Sequence, residues 1–191
     1  MSYLSSGEIQ NIGFRSIGKN VLISSKASIY GASKINIGSN VRIDDFCIIS
    51  AGNKVIEIGS YVHIACHSTL IGKESITIQD YSGVSSRVSI YSSSDTYSGD
   101  AMTNPTVPEE FTKVDHRPVH IGRHCIIGAG SVILPGVTMD DGVAVGALSL
   151  ISRKCNTFKI YSGSPARIVG ERSRNVLEQE KKLVEKLKID Y

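Results

Sequence analysis

The stretch IIGAGSVILPGV, residues 126–137, decides the fold. Its aliphatic residues Ile127 and Ile133 stand six positions apart, with glycine, alanine and serine between them. A six-residue period matches neither the 3.6-residue period of an amphipathic helix nor the two-residue alternation of a half-buried strand. It predicts a chain wound as a triangular prism, in which each hexad forms one short flat strand and three hexads complete a coil.

The same spacing recurs along most of the chain. The aliphatic positions six residues apart are Ile17, Ile23 and Ile29; Ile37, Ile43 and Ile49; Ile58, Ile64 and Leu70; Ile78, Val84 and Ile90; and Ile121, Ile127, Ile133, Met139, Val145 and Ile151. Short slips at 52–57 and 72–77 separate the middle sets. Because one coil cannot bury its own aliphatic face, such an array is stable only when its coils stack. The sequence therefore predicts an all-β parallel β-helix over residues 1–170.

Two segments depart from the repeat. Between Ile90 and Val119 the spacing stops, and three of the five prolines fall there, so we expect an inserted loop at about 91–118. Loops this long are usually functional or disordered. After residue 170 the segment 171–191 has helical periodicity, with Ser173 as N-cap, and we expect a C-terminal helix that packs on the prism or on a neighbouring subunit.

The bulk properties exclude several classes of protein. The net charge is only +3, and the basic residues are scattered rather than gathered in a stripe, so no nucleic-acid partner is expected. No secretory signal is visible and no apolar run approaches the length of a membrane helix, which predicts a cytoplasmic protein without membrane insertion. The four cysteines are far apart and are expected to be reduced core residues. They lack the ligand spacing of a zinc site, so no metal is expected.

The chain resembles the hexapeptide-repeat acyltransferases, in particular the galactoside and xenobiotic acetyltransferase branch. The resemblance rests on the hexads, the loop after VSIYSSSD, the restart VHIGRHCIIGAGSVILPGVTM and the closing GSPAR. It implies a left-handed helix, acetyl-CoA as co-substrate, and a homotrimer whose sites lie between adjacent prisms. Within the family, the chain looks most like sugar acetyltransferases of bacterial surface-polysaccharide clusters.

The resemblance places acetyl-CoA along the coils of the C-terminal half. There Gly128, Ala129, Gly146 and Ala147 leave the backbone uncovered for a thin pantetheine chain, although small residues are also what coil corners require. Lys154 and Arg167, near the end of the solenoid, are candidates for the phosphates of the CoA nucleotide. Either could instead be a solvated surface charge.

The acceptor side departs from the family pattern. In the galactoside type a histidine before the loop acts as general base on a sugar hydroxyl. Here Asp95 begins that stretch, and the next four residues, 96–99, include no histidine. His63 could supply a base, and His67 could contact the acceptor, since an imidazole titrates near neutrality. Both histidines could equally be surface or subunit-contact residues.

The second way to do without the usual histidine is an amine acceptor. A sugar amine is partly unprotonated near neutral pH, so positioning could supply most of the rate, with Asp95 holding the ammonium or a neighbouring hydroxyl. Tyr97 and Asn104 in the loop could stack on or hydrogen-bond to a nucleotide or sugar, or only anchor the loop on a neighbouring subunit.

Three functions remain open from the sequence. The favoured one is acetyl transfer from acetyl-CoA to the amine of a nucleotide-linked amino sugar in surface-polysaccharide (O-antigen or capsule) biosynthesis. The alternatives are O-acetylation of a sugar hydroxyl and a non-catalytic β-helical scaffold. A β-helical carbonic anhydrase would need three histidine ligands, and the histidines here lack that placement.

Overall fold

The computed structural model describes residues 2–189, and these form a left-handed parallel β-helix, as predicted. The aliphatic ladders stack in register. Ile37, Ile58 and Ile78 are paired across successive coils, and so are the equivalent residues on the other two faces. The hexad spacing therefore identified the inward-facing positions correctly.

Three parallel sheets form the faces of the prism. Sheet I contains β1 (Ser16–Ile17), β4 (Ile35–Ile37), β7 (Ile56–Ile58), β10 (Ile76–Ile78), β15 (Val119–Ile121) and β18 (Thr138–Met139). Sheet II contains β2 (Leu22–Ile23), β5 (Arg42–Ile43), β8 (His63–Ile64), β11 (Gly83–Val84), β16 (Ile126–Ile127), β19 (Ala144–Val145), β21 (Lys159–Gly163) and the antiparallel β22 (Ala166–Glu171). Sheet III contains β3 (Ser28–Tyr30), β6 (Ile48–Ala51), β9 (Thr69–Gly72), β12 (Ser89–Tyr91), β17 (Val132–Ile133) and β20 (Leu150–Ile151).

The core is the column of aliphatic side chains inside the prism. Ile43, Ile64 and Ile90 are completely buried, as is nearly every other inward residue. Burying one such side chain stabilises the folded state by about 1.5–3 kcal/mol relative to exposure. Since each side chain packs on its counterparts one coil above and below, this stabilisation depends on the stack rather than on any single coil.

Each coil turns at corners where the backbone is left-handed. At the corner between sheets I and II, the rings of Tyr61, Tyr81 and His124 stack with centroids 5.0 and 5.1 Å apart. At the corner between sheets II and III, the residues with positive φ include Phe46, His67 and Leu148. Non-glycine residues adopt this conformation at a cost of about 1–2 kcal/mol, which ring stacking along a corner partly offsets.

The repeat is interrupted at the corner between sheets III and I. There the chain leaves the prism after β12 and forms an antiparallel hairpin of β13 (Ser93–Asp95) and β14 (Val114–His116). A short 3-10 helix at Glu109–Phe111 lies in the excursion between the two strands. The chain then resumes sheet I at β15, so the coils above and below the insertion pair directly.

One helix lies near each end of the chain. At the N-terminal end α1 (Ser6–Ile12) begins with a capping box between Ser5 and Glu8, an element that the hexad pattern does not predict. At the C-terminal end, α2 (Asn175–Ile189) begins shortly after Ser173, whose hydroxyl accepts a hydrogen bond from the Asn175 N–H. Among residues 2–189, neither helix combines the length and apolar character of a membrane span.

Three of the four cysteines are buried, and none of the four forms a disulfide. Burial raises the pKa of Cys47 to about 11 and the pKa values of Cys125 and Cys155 to about 12. Cys66 is only half-buried and its Sγ lies 3.4 Å from the Ser86 hydroxyl. Cys47, Cys125 and Cys155 are thus core residues with free thiols, as expected, whereas the expected core position of Cys66 was wrong.

Candidate active site

The hairpin presents a row of polar side chains on one of its faces. Thr96 N–H donates to the Lys113 carbonyl and Arg117 N–H to the Ser92 carbonyl, so the pairs Ser93–His116 and Asp95–Val114 between them are non-hydrogen-bonded pairs. Side chains of such pairs lie on one face and approach closely, with Cα atoms about 4.5 Å apart. Ser93, Asp95 and His116 therefore share a face.

Two clefts flank this hairpin. One, of ≈ 620 Å³, lies toward the N-terminal coils and is lined by Gly72, Lys73 and Asn104 among others. The other, of ≈ 790 Å³, lies toward the C-terminal coils against Leu134 and Leu150. Asp95 and His116 line both clefts. Groups entering from the two sides would therefore meet at these two side chains.

The imidazole of His116 is held by a short chain of hydrogen bonds. Its Nδ1 lies 2.8 Å from the hydroxyl of Ser93, and that hydroxyl accepts a hydrogen bond of 2.8 Å from the Lys73 backbone N–H. The anchoring N–H belongs to the prism, at the end of β9. The prism thus fixes the position of an imidazole carried by the inserted loop.

The two loop residues expected to contact an acceptor have different surroundings. Tyr97 borders the larger cleft and is 96% exposed, so its ring does not anchor the loop on its own chain. Asn104 borders the smaller cleft, and its Oδ1 accepts from the Thr106 N–H and hydroxyl, which stabilises a turn within the loop.

His63 lies elsewhere, on a flat face of the prism and not at one of its corners. It is the first residue of strand β8, and its side chain points outward whereas that of Ile64 points into the prism. Its Nε2 lies 2.8 Å from Asp44 Oδ2, and Asp44 also accepts from the Arg42 guanidinium at 2.6 Å. Burial raises the pKa of Asp44, but the hydrogen bonds from Arg42 and His63 outweigh it and leave that pKa below its ordinary value. His63 therefore faces an ionised carboxylate.

His67 occupies the corner between sheets II and III. Its ring stacks on Phe46 with centroids 4.9 Å apart, and its φ is 62°. The stack gives His67 a structural role at the corner. His67 lines neither hairpin cleft.

The small residues assigned to the cofactor form two columns beside the same corner. Gly128 and Gly146 are successive members of one column and Ala129 and Ala147 of the next. A Cβ on Gly128 would lie 2.5 Å from the Ala147 backbone nitrogen, so close stacking of the coils requires glycine there. Ala129 and Ala147 are exposed and leave an uncovered strip of backbone.

The two basic candidates lie together at the end of the solenoid. Lys154 and Arg167 line one small pocket with Arg153. Lys154 Nζ lies 3.2 Å from Asp140 Oδ2, whereas within residues 2–189 the Arg167 guanidinium donates only to the neighbouring Ala166 carbonyl. Arg167 is therefore the freer of the two to meet a phosphate.

A single chain does not bring all these residues together. Asp95, Tyr97 and Asn104 belong to the hairpin at the corner after sheet III, whereas Gly128, Ala129, Gly146 and Ala147 lie at the corner before it. His63 lies on sheet II. The strands of sheet III put roughly 10 Å between the two corners. The candidate residues of one chain are therefore divided between two corners of the prism.

Sequence reasoning missed the supporting residues. Ser93, Lys73 and Asp44 were not singled out, although each makes a short contact to a histidine or to its partner. The sequence did contain a signal for Ser93. If the segments SSD and VDH pair as a hairpin, side chains alternate between its two faces, and Ser93 and Asp95 lie on the same face. Ser85 was also missed. Its N–H donates to the Ile127 carbonyl, as the Gly128 N–H donates to the Val145 carbonyl on the next coil. Ser85 therefore lies in the same column as Gly128 and Gly146.

Comparison with known proteins establishes the family. Residues 118–153 match the model for the bacterial transferase hexapeptide (six repeats). A dTDP-4-amino-4,6-dideoxy-D-glucose acyltransferase of Escherichia coli is 51% identical over 180 residues, which cover 94% of each chain. The chain belongs to the hexapeptide-repeat acyltransferases. The predicted family and the prediction of an acyltransferase are thereby confirmed.

Solved structures of related acyltransferases agree with this fold along nearly the whole chain. AntD, an N-acyltransferase from Bacillus cereus, has been solved as a variant with dTDP-4-amino-4,6-dideoxyglucose and coenzyme A; it is 44% identical with a TM-score of 0.93, covering 97% of this chain and 98% of AntD. Its complex with dTDP and 3-hydroxybutyryl-CoA is equally similar, with a TM-score of 0.92. Solved AntD variants carry a substitution at a serine or at an aspartate, and these two residues are ten positions apart in AntD. Ser85 and Asp95 of this acyltransferase are also ten positions apart.

Proposed function

We propose that this acyltransferase transfers an acetyl group from acetyl-CoA to the 4-amine of a dTDP-linked 4-amino-4,6-dideoxyhexose, for use in a bacterial surface polysaccharide. The observation that carries the proposal is the position of Asp95, which borders both hairpin clefts where the usual histidine is absent. The names of the E. coli relative and of the AntD complexes support the choice of acceptor.

The reaction needs few protein groups when the nucleophile is an amine. The nitrogen lone pair attacks the thioester carbonyl carbon, the C–S bond then breaks, and the proton lost from nitrogen leaves with the CoA thiolate. Asp95 accepts a hydrogen bond from the amine and orients it, and a charge-assisted bond of this kind is about twice as strong as a neutral one.

The acceptor enters the cleft toward the N-terminal coils, with Asn104 at its border, and Tyr97 contacts it from the hairpin tip. Acetyl-CoA lies along Gly128, Ala129, Gly146 and Ala147, and Arg167 with Lys154 meets its phosphates. Because these groups lie at opposite edges of sheet III, the site is formed where the hairpin of one chain meets the corner between sheets II and III of the next.

A cyclic homotrimer supplies such contacts. The outward positions of sheet I are all polar, from Ser16 to Thr138, whereas sheet II and its corner with sheet III expose Leu22, Phe46, Ile126 and Leu148. Exposed apolar groups gathered on one side favour association through that side. Both co-substrates are cytoplasmic metabolites, which supports a cytoplasmic enzyme.

Release of CoA thiol with matched acceptors tests the proposal. The dTDP-linked 4-amino-4,6-dideoxyglucose is compared with the sugar that carries a 4-hydroxyl instead, at the same concentration of acetyl-CoA. We expect turnover with the amine and at least about 100-fold less with the hydroxyl, because a hydroxyl must lose its proton as it attacks whereas the amine attacks with its own lone pair. Comparable turnover of the hydroxyl sugar would refute the preference for an amine acceptor and make His63, beside Asp44, the first residue to replace.

A further inference from the structure

His116 is a hairpin residue with an ionisable side chain that borders both clefts, and the proposed chemistry leaves it without a task. Its Nδ1 contacts the Ser93 hydroxyl, and within residues 2–189 its Nε2 makes no hydrogen bond to the protein. An imidazole fixed on one side and unpaired on the other is suited to contact a ligand.

The Ser93 hydroxyl determines which nitrogen of His116 carries the hydrogen. This hydroxyl has one hydrogen to donate, and its oxygen already accepts the Lys73 N–H. In the described part of the chain, His116 Nδ1 is the one acceptor within hydrogen-bond distance of it. The arrangement that gives the hydroxyl hydrogen a protein acceptor has it donating to Nδ1, and the neutral imidazole then carries its own hydrogen on Nε2. His116 thus presents an N–H donor to the clefts and no free lone pair.

His116 and Asp95 form a donor and an acceptor at a fixed spacing. They belong to adjacent non-hydrogen-bonded pairs of the hairpin and lie diagonally on one face, where Cα atoms are about 7–8 Å apart. Both side chains reach from there toward one region of the clefts. Asp95 can accept a hydrogen bond from an N–H group of the ligand, and the N–H of His116 can donate to a ligand oxygen next to that group.

From this geometry we propose that His116 determines specificity for the acceptor by donating its Nε2–H to the hydroxyl next to the reacting amine. The inference rests on the proposed function. In a 4-amino-4,6-dideoxyhexose, C3 carries the only hydroxyl adjacent to the amine-bearing carbon, because the other neighbour carries the methyl group. An amino sugar without that hydroxyl leaves the donor unpaired, and sites built to bond a hydroxyl reject analogues that lack it.

Two variants and two acceptors test this role. His116→Gln keeps an N–H near the position of Nε2, whereas His116→Asn keeps a polar group only near Nδ1. With the 3-hydroxyl acceptor we expect His116→Asn to lower kcat/KM by about 10–100-fold and His116→Gln by less than about 5-fold. With the 3-deoxy acceptor, His116→Asn should change kcat/KM by less than about 3-fold. An equal loss with both acceptors would refute the role of His116.

Nitrogen-15 NMR of the free protein tests the tautomer without any turnover. At a pH where the imidazole is neutral, we expect the hydrogen of His116 on Nε2, and Ser93→Ala should remove that preference. A hydrogen on Nδ1 in the wild-type protein would overturn the proposal. A wild-type enzyme that fails to acylate the amino sugar would instead refute the proposed function, so the two failures are distinguishable.

Discussion

Gly128 illustrates how a residue proposed to contact the cofactor can also be required by the coil. A Cβ there would meet backbone atoms of the next coil, at 2.5 Å from Ala147 N and 2.7 Å from Gly146 C, and backbone cannot move aside cheaply. We expect Gly128→Ala to lower the free energy of unfolding by about 1–3 kcal/mol even without CoA, as measured by urea denaturation. Gly83→Ala is the control, because nothing lies within 4 Å of a Cβ at that position. Equal stability of the two variants would mean that Gly128 serves the ligand alone.

Among the described side chains of the C-terminal helix α2, Glu180 makes the polar contacts to the prism. Glu180 bonds the Arg123 guanidinium and lies 2.7 Å from Nε2 of His124, which is buried and stacked on Tyr81. Without the carboxylate, His124 loses its only side-chain hydrogen bond within residues 2–189, and hydrogen bonds to charged groups contribute about 1.5–3 kcal/mol.

We therefore expect Glu180→Gln to speed hydrogen exchange of the α2 amides by at least about 10-fold while the amides of sheet I keep their protection. Glu178→Gln provides the matched control, because its pair with Lys181 is exposed and such pairs contribute at most about 1 kcal/mol. If the two variants exchange alike, the helix is held by its apolar face and not by Glu180.

At the scale of the whole molecule, the division of the candidate site between two corners predicts complementation between inactive variants. Asp95→Ala removes the carboxylate proposed to hold the acceptor. Ala129→Trp places a large ring at an exposed position proposed to lie against acetyl-CoA, without disturbing the core. Each variant alone should be nearly inactive. Trimers assembled from an equal mixture should regain about a quarter of wild-type activity, because one interface in four combines two intact halves. No gain on mixing would place the complete site within one chain.

Sequence patterns predicted the fold of this protein more fully than its site. A hexad ladder such as Ile121 to Ile151 fixes which side chains face inward, and every coil repeats the same local rule. The site depends on contacts between residues far apart in the sequence, such as Ser93 with His116 or Asp44 with His63, which no local period encodes. The corner stack of Tyr61, Tyr81 and His124 likewise becomes visible only when coils align.

The buried cysteines have a practical consequence for measuring this enzyme. Thiols react with disulfide reagents as thiolates, and a pKa of about 11 or 12 leaves Cys47, Cys125 and Cys155 almost wholly protonated at pH 8. Folded protein therefore offers such a reagent at most the half-buried Cys66. A colour reaction that follows free CoA can run continuously in the same cuvette as the enzyme, with a background of no more than one equivalent per chain.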